Sequence, residues 1–305
     1  DPSVLQVGDI WYNSSAKKIR GAKQVAAWAS GGNMTTARQW MSGTGTQTAG
    51  LVFAGLVPPE PAPGMKGLTE EYDGSSWTES GDLNTARAAT SGVGTQTAAM
   101  ATGGFNPTAL GIAETYDGAT WTEVGDLGTA RAYLSGAGTS TASITFGGNS
   151  PPGAGVTVNE QWNGTSWTEV GVLNTGTAGP AGLGTSTAAL SVGGTGGANT
   201  ESWDNSSWTE LANPNTSRKY WSGVGSTTLA LAFSGQIPPG TVQGLTESWD
   251  GSSWTEVADM STARFYGGAG GTTLSAFYAG GNTPPQSNAT EEWTDAAVAS
   301  SFTSS

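Results

Sequence analysis

Short apolar runs alternate with polar segments along almost the whole chain. Runs such as Ala98–Thr102 and Leu229–Ser234 end beside glycine, and a segment of the form Glu-x-Tyr or Glu-x-Trp follows each of them. An Asp-Gly pair such as Asp73-Gly74 then precedes Trp-Thr-Glu. Runs of this length favour β-strands over helices. Asp-Gly predicts a hairpin turn because Gly accepts the positive φ of that turn.

These segments form a repeat with nearly constant spacing. The phrase Glu-x-(Tyr/Trp)-(Asp/Asn)-(Gly/Asn)-x-(Ser/Thr)-Trp-Thr-Glu occurs at 70–79, 114–123, 160–169, 201–210 and 247–256, and a degenerate sixth copy starts at Glu291. From the Trp to a recurring Arg is 10 residues, and from there to the glycine that ends the apolar run is 17. The stretch from that glycine to the next Glu varies from 7 to 15 residues.

Each unit therefore holds four strands, which we label a to d. Strand a follows the Arg, strand b is the apolar run, strand c carries Glu-x-(Tyr/Trp), and strand d begins at the Trp. Four antiparallel strands repeated every 41 to 49 residues predict a propeller blade, and six copies predict six blades. The predicted fold is an all-β, six-bladed β-propeller.

The ring needs a closing strand, because residues 264–293 supply only strands a to c of the sixth blade. Trp28 carries the full Trp-to-Arg spacing but lacks strands a to c of its own. A strand at Trp28 donated to the last blade would close the ring and leave no free edge. The alternative is a closing strand within Val298–Thr303. We favour the N-terminal strand.

The repeat resembles that of kelch-type propellers, the class that includes the central domain of galactose oxidase. The matching features are the glycines that end strand b, the aromatic residue of strand c, the Trp of strand d and the Arg that opens the next unit. The resemblance covers residues 28–298. Four residues, rather than the family's usual six, separate the strand-c aromatic residue from the Trp, which implies a tighter c–d turn.

Residues 1–27 lie outside the repeat and are interpreted as an attachment segment for a propeller at 28–305. The phrase Val7–Ser15 followed by Lys17–Arg20 predicts a small hairpin. Its Gly-Asp-Ile-Trp-Tyr-Asn-Ser core resembles a phrase found in tail-fibre and other virion proteins of bacteriophages. The segment holds four cationic side chains against two carboxylates, whereas the remainder holds seven against 22, a net charge of -15.

This charge contrast suggests that the segment docks on an acidic neighbour. Packing of a basic strand against the acidic rim of the disc-shaped propeller itself is an equally good interpretation. The candidate docking residues are Trp11, Tyr12, Lys17, Lys18 and Arg20.

Composition excludes much chemistry. The chain has no Cys and no His, so thiol nucleophiles, His-containing triads and the copper site of galactose oxidase are impossible. No pair of carboxylates stands out for glycosidase chemistry. We therefore predict no enzyme activity, no catalytic residue, no cofactor and no metal site. A net charge of -13 disfavours nucleic acid and anionic membranes, and no apolar run is long enough to insert into a bilayer.

The variable b–c loops should crowd one face of the disc, with the Arg-bearing d–a segments beside them. We call this the b–c loop face. Loops on a rigid scaffold often carry recognition, although ordinary loop drift is an equally good explanation. The candidate ligand-binding residues are Pro58, Pro59, Lys66, Phe105, Asn106, Asn149, Pro151, Gln236, Ile237, Pro238, Asn282 and Pro284.

The recurring arginines allow two interpretations. They occupy one position in five of six units, with Thr177 in the other, and could form an axial ring that binds an anion. Because a Glu also recurs once per unit, Arg–Glu pairing between strands is the simpler interpretation. The five residues are Arg38, Arg87, Arg131, Arg218 and Arg264.

Most of the thirteen Trp residues stand at repeat positions where kelch-type propellers pack blade against blade. Trp40 and Trp221 differ, since they lie two or three residues past the Arg. These two are the better candidates for exposed aromatic side chains, and they join the candidate ligand-binding residues of the b–c loop face.

The expected role is a non-enzymatic structural protein on the surface of a phage particle, as a tail fibre, head fibre or capsid decoration. Residues 1–27 would contact other virion proteins. The b–c loop face would contact a host cell-surface polysaccharide or protein. The alternatives are a secreted bacterial lectin or adhesin of the same fold and a purely architectural decoration protein.

Overall fold

The computed structural model describes residues 2–57, 64–149 and 153–301, and within these it contains 27 strands and no helix. Five four-stranded antiparallel sheets and one sheet of four blade strands extended by β1 surround one axis, so the chain is a six-bladed β-propeller. The strands are β1 (Ile10–Asn13), β2 (Lys18–Ser30), β3 (Ser42–Thr46), β4 (Ala49–Phe53), β5 (Thr69–Tyr72), β6 (Trp77–Ser80), β7 (Ser91–Thr95), β8 (Ala98–Thr102), β9 (Ala113–Tyr116), β10 (Trp121–Val124), β11 (Ser135–Gly138), β12 (Ser143–Phe146), β13 (Asn159–Trp162), β14 (Trp167–Glu169), β15 (Ala181–Thr185), β16 (Ala188–Val192), β17 (Thr200–Trp203), β18 (Trp208–Leu211), β19 (Ser222–Gly225), β20 (Ala230–Phe233), β21 (Gln236–Ile237), β22 (Thr241–Val242), β23 (Thr246–Trp249), β24 (Trp254–Glu256), β25 (Gly268–Gly271), β26 (Ser275–Ala279) and β27 (Thr290–Ser301).

Each blade has the strand order a-b-c-d predicted from the repeat. Blades 1 to 4 consist of β3–β6, β7–β10, β11–β14 and β15–β18. Blade 5 consists of β19, β20, β23 and β24, while β21 and β22 form a small hairpin in its b–c loop. The a strands of neighbouring blades contact one another around the axis.

The N-terminal strand closes the ring, as predicted. Blade 6 consists of β25, β26, β27 and β2, and β2 pairs with β27 from Ser30 opposite Glu291 to Arg20 opposite Ser301. The alternative closing strand that starts at Val298 is wrong, because this residue continues β27 and pairs with Lys23.

The β2–β27 pair is longer than the blade. Strand β26 pairs with β27 only as far as Thr294, so residues 295–301 pair with β2 alone. Strand β1 pairs with the start of β2 and forms the predicted hairpin. We call residues 2–26 and 295–301 the stalk. The proposed boundary after residue 27 stays a prediction, and β2 runs continuously across it.

The c–d turns are tight because the side-chain oxygen of an Asp, or of Asn163 in blade 3, replaces missing backbone partners. In blade 1, Asp73 Oδ1 accepts hydrogen bonds from the amides of Ser75 and Ser76, both at 2.8 Å. These bonds, led by the one from Ser76, lower the pKa of Asp73 to about 2. The turn brings Trp77 opposite Tyr72 in the register.

The repeated indoles pack blade against blade, as expected for the repeat positions. Trp77 of blade 1 lies 5.7 Å from Phe277 of blade 6, measured between ring centres, and its Nε1 donates to Thr290 Oγ1 at 2.9 Å. Trp121 of blade 2 makes the same type of bond to Thr69 of blade 1. Each such contact buries an aromatic ring between neighbouring sheets.

Glycines in the a strands let neighbouring blades approach closely at the axis. A Cβ added to Gly43 of β3 would lie 2.5 Å from the backbone nitrogen of Ala269 in blade 6. The clash involves backbone atoms, which cannot rotate away as a side chain can.

Replacement of Gly43 by Ala is therefore expected to lower the free energy of unfolding by about 1–3 kcal/mol, as overpacking does elsewhere. Denaturant titration would measure the loss. Gly125→Ala is the control, because a Cβ there meets its nearest atom at 3.4 Å, an ordinary contact, and should change stability by less than about 0.5 kcal/mol. Equal stability of the two variants would contradict close axial packing.

Candidate functional site

The fold separates the b–c loops from the stalk. In blade 6, strand c enters at the b–c loop face and runs toward the opposite face, where the other blades make their c–d turns. Residues 295–301 continue strand c past that point, with β2 returning beside them. The stalk therefore leaves the disc on the face opposite the b–c loops.

The b–c loops begin at residues that are anchored to the d–a segments. In five of the six blades, an isolated bridge joins the residue after the strand-b glycine to the residue after the arginine, as in Ala88 with Phe105 and Phe265 with Asn282. Asn106 Nδ2 donates to the carbonyl of Ala86 at 2.6 Å. Asn282 Nδ2 donates to Gln39 Oε1 at 2.5 Å.

The remaining predicted loop residues lie in varied surroundings. Lys66, Pro238 and Pro284 are exposed, whereas Gln236 and Ile237 are half-buried in β21. Asn149 is half-buried and bridges to Ala132. Pro58, Pro59 and Pro151 lie outside the described residues. The structure brings the described residues of this set to one face, and a ligand role for the whole set stays a prediction.

The five arginines form the Arg–Glu pairs that the simpler interpretation predicted. All five are fully buried. In blade 5, Arg218 Nη2 lies 2.9 Å from Glu247 Oε1, and Nη1 donates to the carbonyls of Ser234 and Leu245. The pairs are Arg38–Glu70, Arg87–Glu114, Arg131–Glu160, Arg218–Glu247 and Arg264–Glu291.

Each pair ties the end of strand b to the start of strand c. Burial lowers the pKa of Arg218, an effect that Glu247 counteracts by charge and hydrogen bonding. The guanidinium groups have no exposed surface on which to hold an anion, so the axial-ring interpretation is left without structural support. The pairs fix the base from which each variable loop extends.

Blade 4 departs from this arrangement. Thr177 replaces the arginine, and its Oγ1 donates to the carbonyl of Gly193 at 2.9 Å. Glu201 is still buried and accepts hydrogen bonds from Asn174 and Thr175. Among the described residues, Glu201 is therefore the one glutamate at this position of strand c that has no ion-pair partner.

The two tryptophans predicted to be exposed differ from each other. Trp40 is half-buried at the axis of the b–c loop face. For Trp221 the prediction is wrong, because only 4% of its surface is exposed. Its Nε1 donates to the carbonyl of Val192 at 2.8 Å, and the Arg218 guanidinium carbon lies 4.3 Å from its ring centre. Tyr220, not Trp221, is the counterpart of Trp40.

The residue two positions after each arginine or Thr177 has a left-handed backbone conformation in all six blades. A backbone hydrogen bond of 2.7 Å runs from the amide of Ala89 to the carbonyl of Trp40, and equivalent bonds link the later members in turn. For a residue other than glycine this conformation costs about 1–2 kcal/mol. The six residues are Trp40, Ala89, Tyr133, Gly179, Tyr220 and Tyr266, with φ between 55° and 64°.

Four of these residues place their rings together over the axis. We call Trp40, Tyr133, Tyr220 and Tyr266 the axial aromatic cluster. The ring centres of Tyr220 and Tyr266 are 4.4 Å apart, and Trp40 stands edge-on to Tyr133 and Tyr266 at 5.9 and 5.6 Å. Of these four residues, only Trp40 was predicted from the sequence. The available signal was an aromatic residue at this position in four of six units.

The cluster borders a small cavity on the axis. This cavity has a volume of about 130 Å³ and is lined by the four rings and by the first residues of the a strands. Burial raises the pKa of Tyr133 and Tyr266 above the usual range of tyrosine, and the neighbouring Tyr220 adds to both shifts. Both hydroxyls therefore stay protonated at neutral pH and can donate hydrogen bonds.

The stalk carries most of the exposed large apolar side chains. Of eight such residues in the described part of the chain, five lie between Val4 and Ile19. Ile10, Tyr12 and Ile19 are 69%, 62% and 56% exposed. They share one side of the hairpin, because Ile10 pairs with Gly21 and Tyr12 pairs with Ile19.

The predicted docking residues lie on both sides of the hairpin and at its turn. Tyr12 belongs to the apolar strip, and Lys17 and Lys18 are exposed at the turn. Trp11 and Arg20 are half-buried and pair with each other in the register. The stalk thus combines an apolar strip with a basic end.

Within residues 2–57, 64–149 and 153–301 there is no helix long and apolar enough to cross a membrane. The same residues contain no group of three or more Asp, Glu, Cys or His side chains that could hold a metal ion. No protein-family model matches the chain, and no curated protein matches it either.

Proposed function

We propose that the protein is a non-enzymatic attachment protein on the surface of a bacteriophage particle, built as a kelch-like propeller. In this role the stalk contacts other virion proteins. The b–c loop face contacts a polysaccharide or protein of the host surface. The kelch-like repeat and the virion-like phrase at Gly8–Ser14 support this identification.

The observation that carries the proposal is the position of the stalk. It leaves the disc on the face opposite the b–c loops and bears a strip of exposed apolar side chains at Ile10, Tyr12 and Ile19. Exposed apolar patches on soluble proteins commonly mark contact sites for other proteins. A disc held by the stalk would present the b–c loop face outward.

The acidic disc and basic stalk fit the same arrangement. Residues 1–27 carry a net charge of +2, and the rest of the chain carries -15. Opposite charges on the two parts favour docking of the stalk on an acidic partner surface. Many discs on one particle would then add weak individual contacts into firm adhesion.

Incorporation into particles tests the docking role of the stalk. Mass spectrometry of purified particles should detect the wild-type chain, and the triple variant Ile10→Ser, Tyr12→Ser, Ile19→Ser should be missing although it folds. These side chains are exposed, so their loss should leave the melting temperature almost unchanged. Presence of the chain in the medium of a bacterial culture, but not in particles, would favour the bacterial adhesin instead.

Binding of bead-multimerised protein to intact host cells tests the role of the b–c loop face. The control variant carries the short 195–199 loop of blade 4 in place of residues 236–243. Saturable binding that the control variant loses supports host attachment. Absence of binding by a folded, particle-incorporated wild-type chain would contradict it and indicate an architectural decoration protein.

A further inference from the structure

We infer that the axial aromatic cluster is the ligand site of the b–c loop face and binds the apolar side of an uncharged sugar ring. This inference rests on the proposed function, since it names the site and the ligand class of the same face.

Backbone strain is the first argument for a site. Trp40, Tyr133, Tyr220 and Tyr266 have the same left-handed conformation as Gly179, which adopts it without steric cost. Bulky residues in this conformation are outliers, and such outliers gather at functional sites. The backbone alone would be better served by glycine, so the reason for the aromatic residues lies in their side chains.

Incomplete filling is the second argument. A plug that merely sealed the axis would be expected to bury its rings completely, whereas all four residues are only half-buried. Ala89 and Gly179 leave two of the six positions without a large side chain. A cavity of about 130 Å³ remains beside the rings. The cluster is therefore an aromatic platform beside unfilled space on the axis.

Preorganisation is the third argument. Backbone hydrogen bonds of 2.7 to 3.3 Å link Trp40, Ala89, Tyr133, Gly179, Tyr220 and Tyr266 in sequence around the axis. A buried, ion-paired arginine stands two residues before each of these residues except Gly179. A platform that is already ordered loses little entropy when a ligand binds.

The chemistry of the platform selects the ligand. Aromatic faces suit the C–H face of a sugar ring, and protonated Tyr hydroxyls can donate to its oxygens.

Charge argues against an anionic ligand. The residues outside 1–27 carry a net charge of -15, which repels polyanions. Lys219, whose Nζ lies 5.0 Å from the centre of the Tyr220 ring, is the cation next to the cluster. It already interacts with that ring. The cavity is smaller than a typical ligand pocket of about 300–1,000 Å³, so the site engages a single sugar residue.

Substitutions by glycine test the site without adding strain. Trp40→Gly and Tyr266→Gly remove a ring while keeping a residue suited to positive φ, as Gly179 shows. Ala89→Gly is the matched control, since it makes the same backbone change and removes no ring. The probe is an array of neutral and acidic bacterial surface polysaccharides, read with bead-multimerised protein.

We expect wild type and Ala89→Gly to bind neutral polysaccharides equally, and the two ring variants to bind at least tenfold more weakly. Circular dichroism and the melting temperature report whether each variant is folded. If Trp40→Gly fails to fold, Tyr266→Gly still tests the site.

Four results would overturn the inference, the last of them by rejecting the proposed function on which it rests. Undiminished binding by the folded ring variants would exclude the cluster as the site, although the proposed function would stand. Binding to acidic polysaccharides alone would exclude the ligand class. Failure of wild type to bind any polysaccharide, while it still binds host cells, would point to a protein receptor. Failure to bind host cells at all would reject the proposed function itself.

Discussion

Replacement of Glu247 by Gln is expected to lower the free energy of unfolding by about 3–5 kcal/mol, because it leaves a buried cation without its partner. Arg218 is fully buried and lies 2.9 Å from the carboxylate. The other carboxylate oxygen accepts the amide of Asn215 at 2.7 Å. A Gln side chain has one acceptor oxygen, so its NH₂ group would face a donor on one side. Chemical denaturation followed by tryptophan fluorescence would measure the loss.

Blade 4 provides the control for this experiment. Glu201→Gln changes the same repeat position and also turns an NH₂ group toward backbone donors, since both oxygens of Glu201 accept hydrogen bonds from Asn174 and Thr175. Thr177 stands where the other blades have arginine, so no cation is left unpaired. The expected loss is about 1–2 kcal/mol, that of an unsatisfied hydrogen-bonding group. Equal losses in the two blades would show that the ion pair adds nothing specific.

The repeated ion pair explains how the loops can vary while the blades do not. Arg264 Nη1 donates to the carbonyls of Gly280 and Ala289, which stand at the two ends of the b–c loop of blade 6. Arg38, Arg131 and Arg218 hold both ends of their loops in the same way, although these loops differ in length. The variable chain between them can change sequence without disturbing the packing of strands b and c.

The repeat spacing predicted the fold because blade geometry leaves little freedom. The ten residues from Trp to Arg must cross from strand d of one blade to strand a of the next, and this distance is the same around the ring. The closing strand was predictable for the same reason, since Trp28 carries that spacing. Distances fixed by packing therefore leave a signal in the sequence.

Side-chain direction near the axis left a weaker signal. Trp221 and Tyr220 are neighbours, yet the left-handed conformation of Tyr220 sends its ring to the axis while Trp221 packs between blades 4 and 5. The prediction placed the exposed aromatic residue of blade 5 at Trp221, one position too late, and therefore gave the wrong exposure for that side chain. The sequence also showed no sign that residues 295–301 belong to the stalk. The partner of residues 20–26 lies at 295–301, which does not carry the repeat.

A disulfide across the closing strand pair is expected to stabilise the protein by roughly 3 kcal/mol more than a disulfide at the same position in another blade. Ala29 and Glu292 stand opposite each other in blade 6, and Thr78 and Glu71 occupy the equivalent positions in blade 1. The chain has no native cysteine, so each double Cys variant can form a single bond.

The two disulfide variants should differ only in the loop that each bond closes. Both lose one carboxylate that accepts a tyrosine hydroxyl, since Tyr72 donates to Glu292 and Tyr116 donates to Glu71. The 29–292 bond closes a loop of almost the whole chain, whereas the 71–78 bond closes one hairpin. The entropy removed from the unfolded chain grows with the logarithm of loop length, which gives the difference of roughly 3 kcal/mol.

Guanidinium unfolding with and without reductant would measure both gains. Failure of the 29–292 bond to form in the folded protein would contradict closure of the ring by β2. Equal gains in the two variants would mean that the ends of the unfolded chain are already held together.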